Sequence, residues 1–332
     1  MIIHPAVLAL LIGSSLTSFM LFYAVWYGIR ILAKWDIKSG SELQLSLERR
    51  TYLISTILSY TLAFQILSLF LFIYTADHLH TLFTGAMCAA GVLNVNAFGY
   101  PLLLLKIADF LLAGIWLIIN HADTKGYDYP LIKVKYSLLV VIAPLVLLET
   151  FFQFAYFLGL HADVITSCCG SLFSLDKPGI AGDLASLPAA PMEAAFYAGM
   201  AATAISGLYF YCKGKGGYVF SGFSFLTFLI AAASLVSFIC LYFYELPTHH
   251  CPFCILQSEY GYAGYALYFT LLGGGVAGMG TGLLIPLADC GSMTGVIPAL
   301  QRRLTAANLF LYLLFTLIVS YRMAISSFML GN

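Results

Sequence analysis

Residues 219–246 read VFSGFSFLTFLIAAASLVSFICLYFYEL, 28 residues with no Lys, Arg or His and a single carboxylate, Glu245, near the end. A helix needs about 20 mainly apolar residues to cross the hydrocarbon layer of a membrane, and this stretch exceeds that. The rest of the chain is similar. It has 332 residues, of which 61% are hydrophobic and 9% charged, with a mean hydropathy of +0.93. A soluble domain carries roughly a quarter charged residues to cover its surface, and a disordered chain has far fewer apolar ones. Both classes are excluded. The reading is an all-α, polytopic integral membrane bundle forming one transmembrane domain over 1–332. The formal net charge is zero, so nothing in the total points to nucleic acid.

Eight stretches have the length and composition of spans: 6–29, 51–75, 101–119, 136–160, 191–211, 219–246, 254–286 and 304–326. Lys and Arg orient them, because cytoplasmic loops retain cations. Arg30, Lys34, Lys38, Arg49, Arg50, Lys125, Lys133, Lys135, Lys213, Lys215, Arg302 and Arg303 all fall on one side, 12 of the 15 cations. Lys106, Lys177 and Arg322 are the exceptions. The cation-rich side is then cytoplasmic and both termini are extracytoplasmic. Residues 1–29 hold no Lys or Arg, whereas a secretory signal peptide has a positive region before its apolar core. The first stretch therefore reads as an uncleaved span. The expected location is the cell membrane, multi-pass, and the inner membrane if the source is bacterial.

Cysteine and histidine played no part in that orientation, yet they gather on its outer face. The outer loops 76–100, 161–190 and 247–254 contain the segments ADHLHTLFTGAMCAAG, LHADVITSCCGSLF and LPTHHCPFC. They carry His78, His80 and Cys88; His161, Cys168 and Cys169; and His249, His250, Cys251 and Cys254. Cys212, Cys290 and His121 fall on the inner face, and Cys240 within a span. Five outer-loop cysteines is an odd number, so a pure disulfide framework leaves one over. An odd count favours exchange chemistry or metal binding over static cross-linking.

Cys251-Pro252-Phe253-Cys254 is expected to open the seventh span. The N–H groups and positive dipole end of a helix N-terminus stabilise a thiolate, and His249 and His250 would add to that when protonated. Pro252 is tolerated in a first turn. The adjacent Cys168 and Cys169 would close only a strained, easily reduced disulfide. Reduced, they present two sulfurs to a soft ion such as Cu(I), Zn(II) or Hg(II).

The run Cys251-Pro252-Phe253-Cys254-Ile255-Leu256-Gln257 resembles the Cys-x-x-Cys segment of bacterial membrane disulfide-forming proteins of the DsbB type, and more loosely that of vitamin K epoxide reductases. The resemblance implies a redox pair, Cys251 and Cys254, passing electrons to a quinone. Cys168 with Cys169, or Cys88 with one of them, would be the exchanging thiols. The partner implied is an extracytoplasmic thiol protein.

Three functions follow from these residues. The first is thiol–disulfide exchange or electron transfer, with Cys251, Cys254, Cys168, Cys169 and Cys88 as the reacting groups. The second is binding or transport of a soft metal, copper or zinc, by His78, His80, Cys88, His161, Cys168, Cys169, His249, His250, Cys251 and Cys254. The third is a membrane subunit whose loops dock other subunits of a complex. Ionisable groups inside spans are costly and are usually paired or functional. Lys106 and Asp109 are three residues apart and suited to a local pair. Glu149 is the alternative partner of Lys106, or a proton or cation relay. Gly274, Gly278 and Gly282 form a small-residue face for close helix packing. No Cys-x-x-Cys-His, Walker A or His-Glu-x-x-His pattern occurs, so covalent haem, P-loop nucleotide binding and zincin hydrolysis have no signature here.

Overall fold

The computed structural model describes residues 3–161, 164–166 and 180–328. Among these the ordered elements are helices and helical turns, with no strand. Seven helical segments are long and apolar enough to cross a membrane: Pro5–Lys34, Glu42–Leu82, Gly99–Asp123, Ile132–Leu158, Gly217–Tyr244, Ala263–Leu283 and Val296–Ile325. The fold is thus an all-α polytopic bundle. Its outward faces are themselves apolar: Phe19, Phe22 and Phe310 are each 65% exposed. Such surfaces belong against lipid rather than water.

The remaining expected span, 191–211, lies in a helix of 25 residues, Ala189–Lys213. That is about 37 Å at 1.5 Å per residue, long enough to cross. It falls outside the apolar set because its core, AAFYAGMAATAISG, is rich in Ala, Gly, Ser and Thr. Lys213-Gly214-Lys215-Gly216 then turns the chain into Gly217–Ser234. Gly214 and Gly216 have φ of 66° and 84°, the left-handed region where a side chain is disfavoured.

The chain divides into two compact units. The first comprises Met1–Thr75, Asn96–Leu160 and Pro286–Leu300. Its apolar core packs Leu21, Leu58, Leu62, Trp116, Tyr136, Leu139 and Val146. Two ion pairs are embedded in it. Lys106 Nζ lies 2.6 Å from Glu149 Oε1, and Ser68 and Gln65 hydrogen-bond to this pair. Lys106 therefore makes its ion pair across helices, with Glu149 and not with its neighbour Asp109. Lys135 Nζ lies 2.6 Å from Asp123 Oδ2 and 3.1 Å from Asn120 Oδ1. Its side chain is only 1% exposed, so Lys135 is not the solvated loop cation that its place in the sequence suggested.

The second unit comprises Ala76–Val95, His161–Ile285 and Gln301–Asn332. Here the expected glycine face operates. Gly278 lies so close to Ser224, and Gly274 to Tyr312, that a Cβ at either position would collide. Asn308 Nδ2 ties the contact by donating to Ser224 Oγ at 2.9 Å and to Gly274 O at 2.8 Å.

Candidate functional site

The expected helix over 254–286 begins later than its apolar run. Cys254–Leu256 and Ser258–Tyr260 are single 3-10 turns, and the helix starts at Ala263. Gly261 and Tyr262 explain the delay, since both have positive φ, 62° and 56°, which right-handed helix does not allow. Cys251 and Cys254 are therefore not at a long helix N-terminus, and dipole stabilisation of a thiolate does not apply to them.

What the loop does instead is carry both sulfurs inward. Cys251 is fully buried and Cys254 is 6% exposed. Tyr244 OH donates to Cys251 O at 2.5 Å, and Tyr268 OH donates to Pro252 O. His250 Nδ1 lies 2.9 Å from Val236 O. Val236 belongs to a π-helical segment, Leu235–Ile239, whose wide turns leave a carbonyl available to a side chain. His250 thus anchors the loop to the preceding span.

Cys88 comes from a segment distant in sequence. It precedes the short helix Ala89–Leu93, all of whose residues are buried. Asp77 Oδ1 accepts the Ala89 N–H at 3.2 Å, and Thr166 Oγ1 donates to Gly91 O at 2.8 Å. Gln257 Nε2 donates to Met87 O at 2.7 Å, which ties the Cys88 segment to the Cys-x-x-Cys loop.

The result is a compact group of three thiols. Cys88 Sγ and Cys251 Sγ are 3.7 Å apart, and the sulfurs of Cys88, Cys251 and Cys254 all lie within 4.8 Å of one another. His249 Nε2 is 3.4 Å from Cys254 Sγ. None of the described cysteines is in a disulfide. Tyr244 stacks edge-on against His249, with ring centroids 4.4 Å apart. Outside the spans, the Tyr260 phenol is pushed up by burial and by the nearby Cys254.

The other expected residues are placed differently. His78 and His80 line a neighbouring cleft, and the His80 ring hydrogen-bonds to Asp77 O. His161 is exposed. None of these joins the thiol group, which is the one cluster of metal-ligating type among the described residues. Cys168 and Cys169 lie outside the described residues. Cys88 was expected in an open outer loop but is fully buried, because Ala89, Ala90 and Gly91 let neighbouring segments close over it. Tyr244 and Tyr268, two of the tyrosines that flank the Cys-x-x-Cys in the sequence and read there as interfacial belt residues or as an aromatic ligand wall, also reach the site, since their hydroxyls donate to Cys251 O and Pro252 O.

Comparison with protein-family models, with curated proteins and with solved structures returns no match.

Proposed function

We propose that this chain is a multi-pass membrane protein that holds one thiophilic metal ion, zinc(II) foremost, through Cys88, Cys251 and Cys254, with His249 beside Cys254. The carrying observation is the spacing of the donor atoms. Zinc–sulfur bonds of about 2.3 Å at tetrahedral angles put two sulfurs about 3.8 Å apart, and a sulfur and an imidazole nitrogen about 3.6 Å apart. Cys88 and Cys251 are separated by 3.7 Å, and His249 and Cys254 by 3.4 Å.

Charge supports zinc over copper. Three thiolates carry −3, which zinc(II) reduces to −1 and copper(I) only to −2. Excess charge in a buried site is costly, so the divalent ion is favoured. Burial also weighs against exchange with a partner protein. A thiolate must reach the disulfide sulfur it attacks, and these thiols are 0%, 0% and 6% exposed. The distribution of Lys and Arg supports an extracytoplasmic site.

The test is to purify the full chain in detergent without reductant or chelator and to count zinc, copper and thiols together. The expected result is about one zinc per chain with the three thiols protected from alkylation until the metal is removed. A Cys88–Cys251 disulfide, with no metal retained after reduction and zinc loading, overturns the proposal. It would put thiol–disulfide chemistry in its place.

A further inference from the structure

A polar cleft of about 350 Å³ opens beside the buried thiols. Asp77, His78, His80, Met87 and Glu259 contribute to its lining, and no Lys or Arg does. Two carboxyl side chains and no Lys or Arg favour a positive ion in the cleft, and a charged cleft of this kind raises encounter rates by about 10-fold or more. The remaining donors are imidazoles and a thioether, and Met87 is 64% exposed. They bind borderline and soft ions more weakly than thiolates do.

The cleft is also connected to the thiols. Gln257 lines it and donates to Met87 O at 2.7 Å. Met87 precedes Cys88, and Gln257 is the third residue after Cys254. One side-chain amide thus straps together the two segments that carry the sulfurs, and the same residue lines the cleft. The thiols themselves have almost no exposure, so an ion needs a route to them.

Resting on the metal reading above, we propose that this cleft is the entry site for the ion. It gathers a hydrated zinc(II) or similar thiophilic cation by the charge of Glu259 and Asp77 and the imidazoles of His78 and His80, from which the ion moves past Gln257 to Cys88, Cys251 and Cys254. The donors change from oxygen and nitrogen to sulfur along this path, so transfer runs downhill for a thiophilic ion.

The experiment is zinc loading of the reduced, metal-free full chain, followed by competition with a chromophoric chelator. Wild type is compared with His78→Gln/Glu259→Gln, which alters two exposed side chains and leaves Asp77 and Gln257 in place. The expected result is loading slowed about tenfold, with final stoichiometry and zinc retention unchanged, and a weaker salt dependence of the rate. An unchanged loading rate overturns the entry site while the thiol centre stands. A lower final stoichiometry in the variant also overturns it, because the cleft would then belong to the resting site. No zinc uptake by wild type overturns this proposal and the metal reading together.

Discussion

The two units both bury polar groups among apolar helices, and they differ in how those groups are satisfied. In the first, cations meet anions: Lys106 with Glu149 and Lys135 with Asp123, each at 2.6 Å, with Gln65, Ser68 and Asn120 supplying further bonds. These pairs close on each other and present no reactive atom. In the second, three sulfurs meet one another, with a histidine beside them. Three like donors do not pair off by charge as the ions of the first unit do, and their grouping is what the metal proposal rests on. Buried ionisable groups therefore form closed ion pairs in one unit and a cluster of metal-ligating type in the other. The chemistry of the donor set separates the two cases, and the depth of burial does not.

The contrast can be broken most sharply at the sulfurs. Cys251→Ser or Cys88→Ser is expected to take bound zinc from about one ion per chain to near none, measured by elemental analysis. Cys212→Ser, at an exposed position, should leave it unchanged. Loss of metal in all three variants, or in none, would contradict the assignment.

The ion pairs should respond in stability instead. Glu149→Leu leaves Lys106 buried without its counter-ion, and breaking such a pair costs about 3–5 kcal/mol. The double variant Lys106→Met/Glu149→Leu should recover most of that, as read from denaturation of the detergent-solubilised chain. A double variant as unstable as the single would mean that the pair does more than balance charge. Zinc content per folded molecule should be the same in both.

Packing gives a smaller effect. Gly278→Ala places a methyl group against Ser224, and overpacking of this kind costs about 1–3 kcal/mol. The smallest effect is at the surface. Glu245 accepts a hydrogen bond from Ser327 Oγ at 2.8 Å and pairs with Arg322 at 3.3 Å, and these hold its carboxyl below the ordinary range. A lowered folded value stabilises the protein above the ordinary carboxylate range, and that contribution is lost as the pH falls through the folded value. Glu245→Gln should lower the melting temperature by about 1 °C near neutral pH. The two melting curves should converge on acidification.

The helices were legible because a membrane imposes one simple demand, about 20 apolar residues per crossing. The Lys106–Glu149 pair was legible as one of two options for Lys106, since so few charges occur within spans. The local start of the helix after Cys254 was not legible, because apolar composition continues through Gly261 and Tyr262 while the backbone turns left-handed there. Nor was the partner of Cys251. The Cys-x-x-Cys was visible as a motif, but its contact with Cys88 joins residues 163 positions apart, a separation on which no local pattern bears. Lys135 was misleading for a related reason. It sits in a stretch dense with loop cations, and only the fold brings Asp123 to it.

The same 3.7 Å between Cys88 and Cys251 also acts as a counting rule. Two loops that touch lie on one side of the membrane, so an even number of crossings must separate them. Among the described residues, three strongly apolar helices lie between residues 88 and 251: Gly99–Asp123, Ile132–Leu158 and Gly217–Tyr244. Residues 161–188 contain no apolar run of 20. An even count calls for a fourth, and Ala189–Lys213 has the length to supply it; its Gly199 and Gly207 press against Thr227 and against Leu309 and Phe220. Those contacts use small residues where a lipid-facing helix would use large ones. One sulfur contact thus sets the parity of the chain.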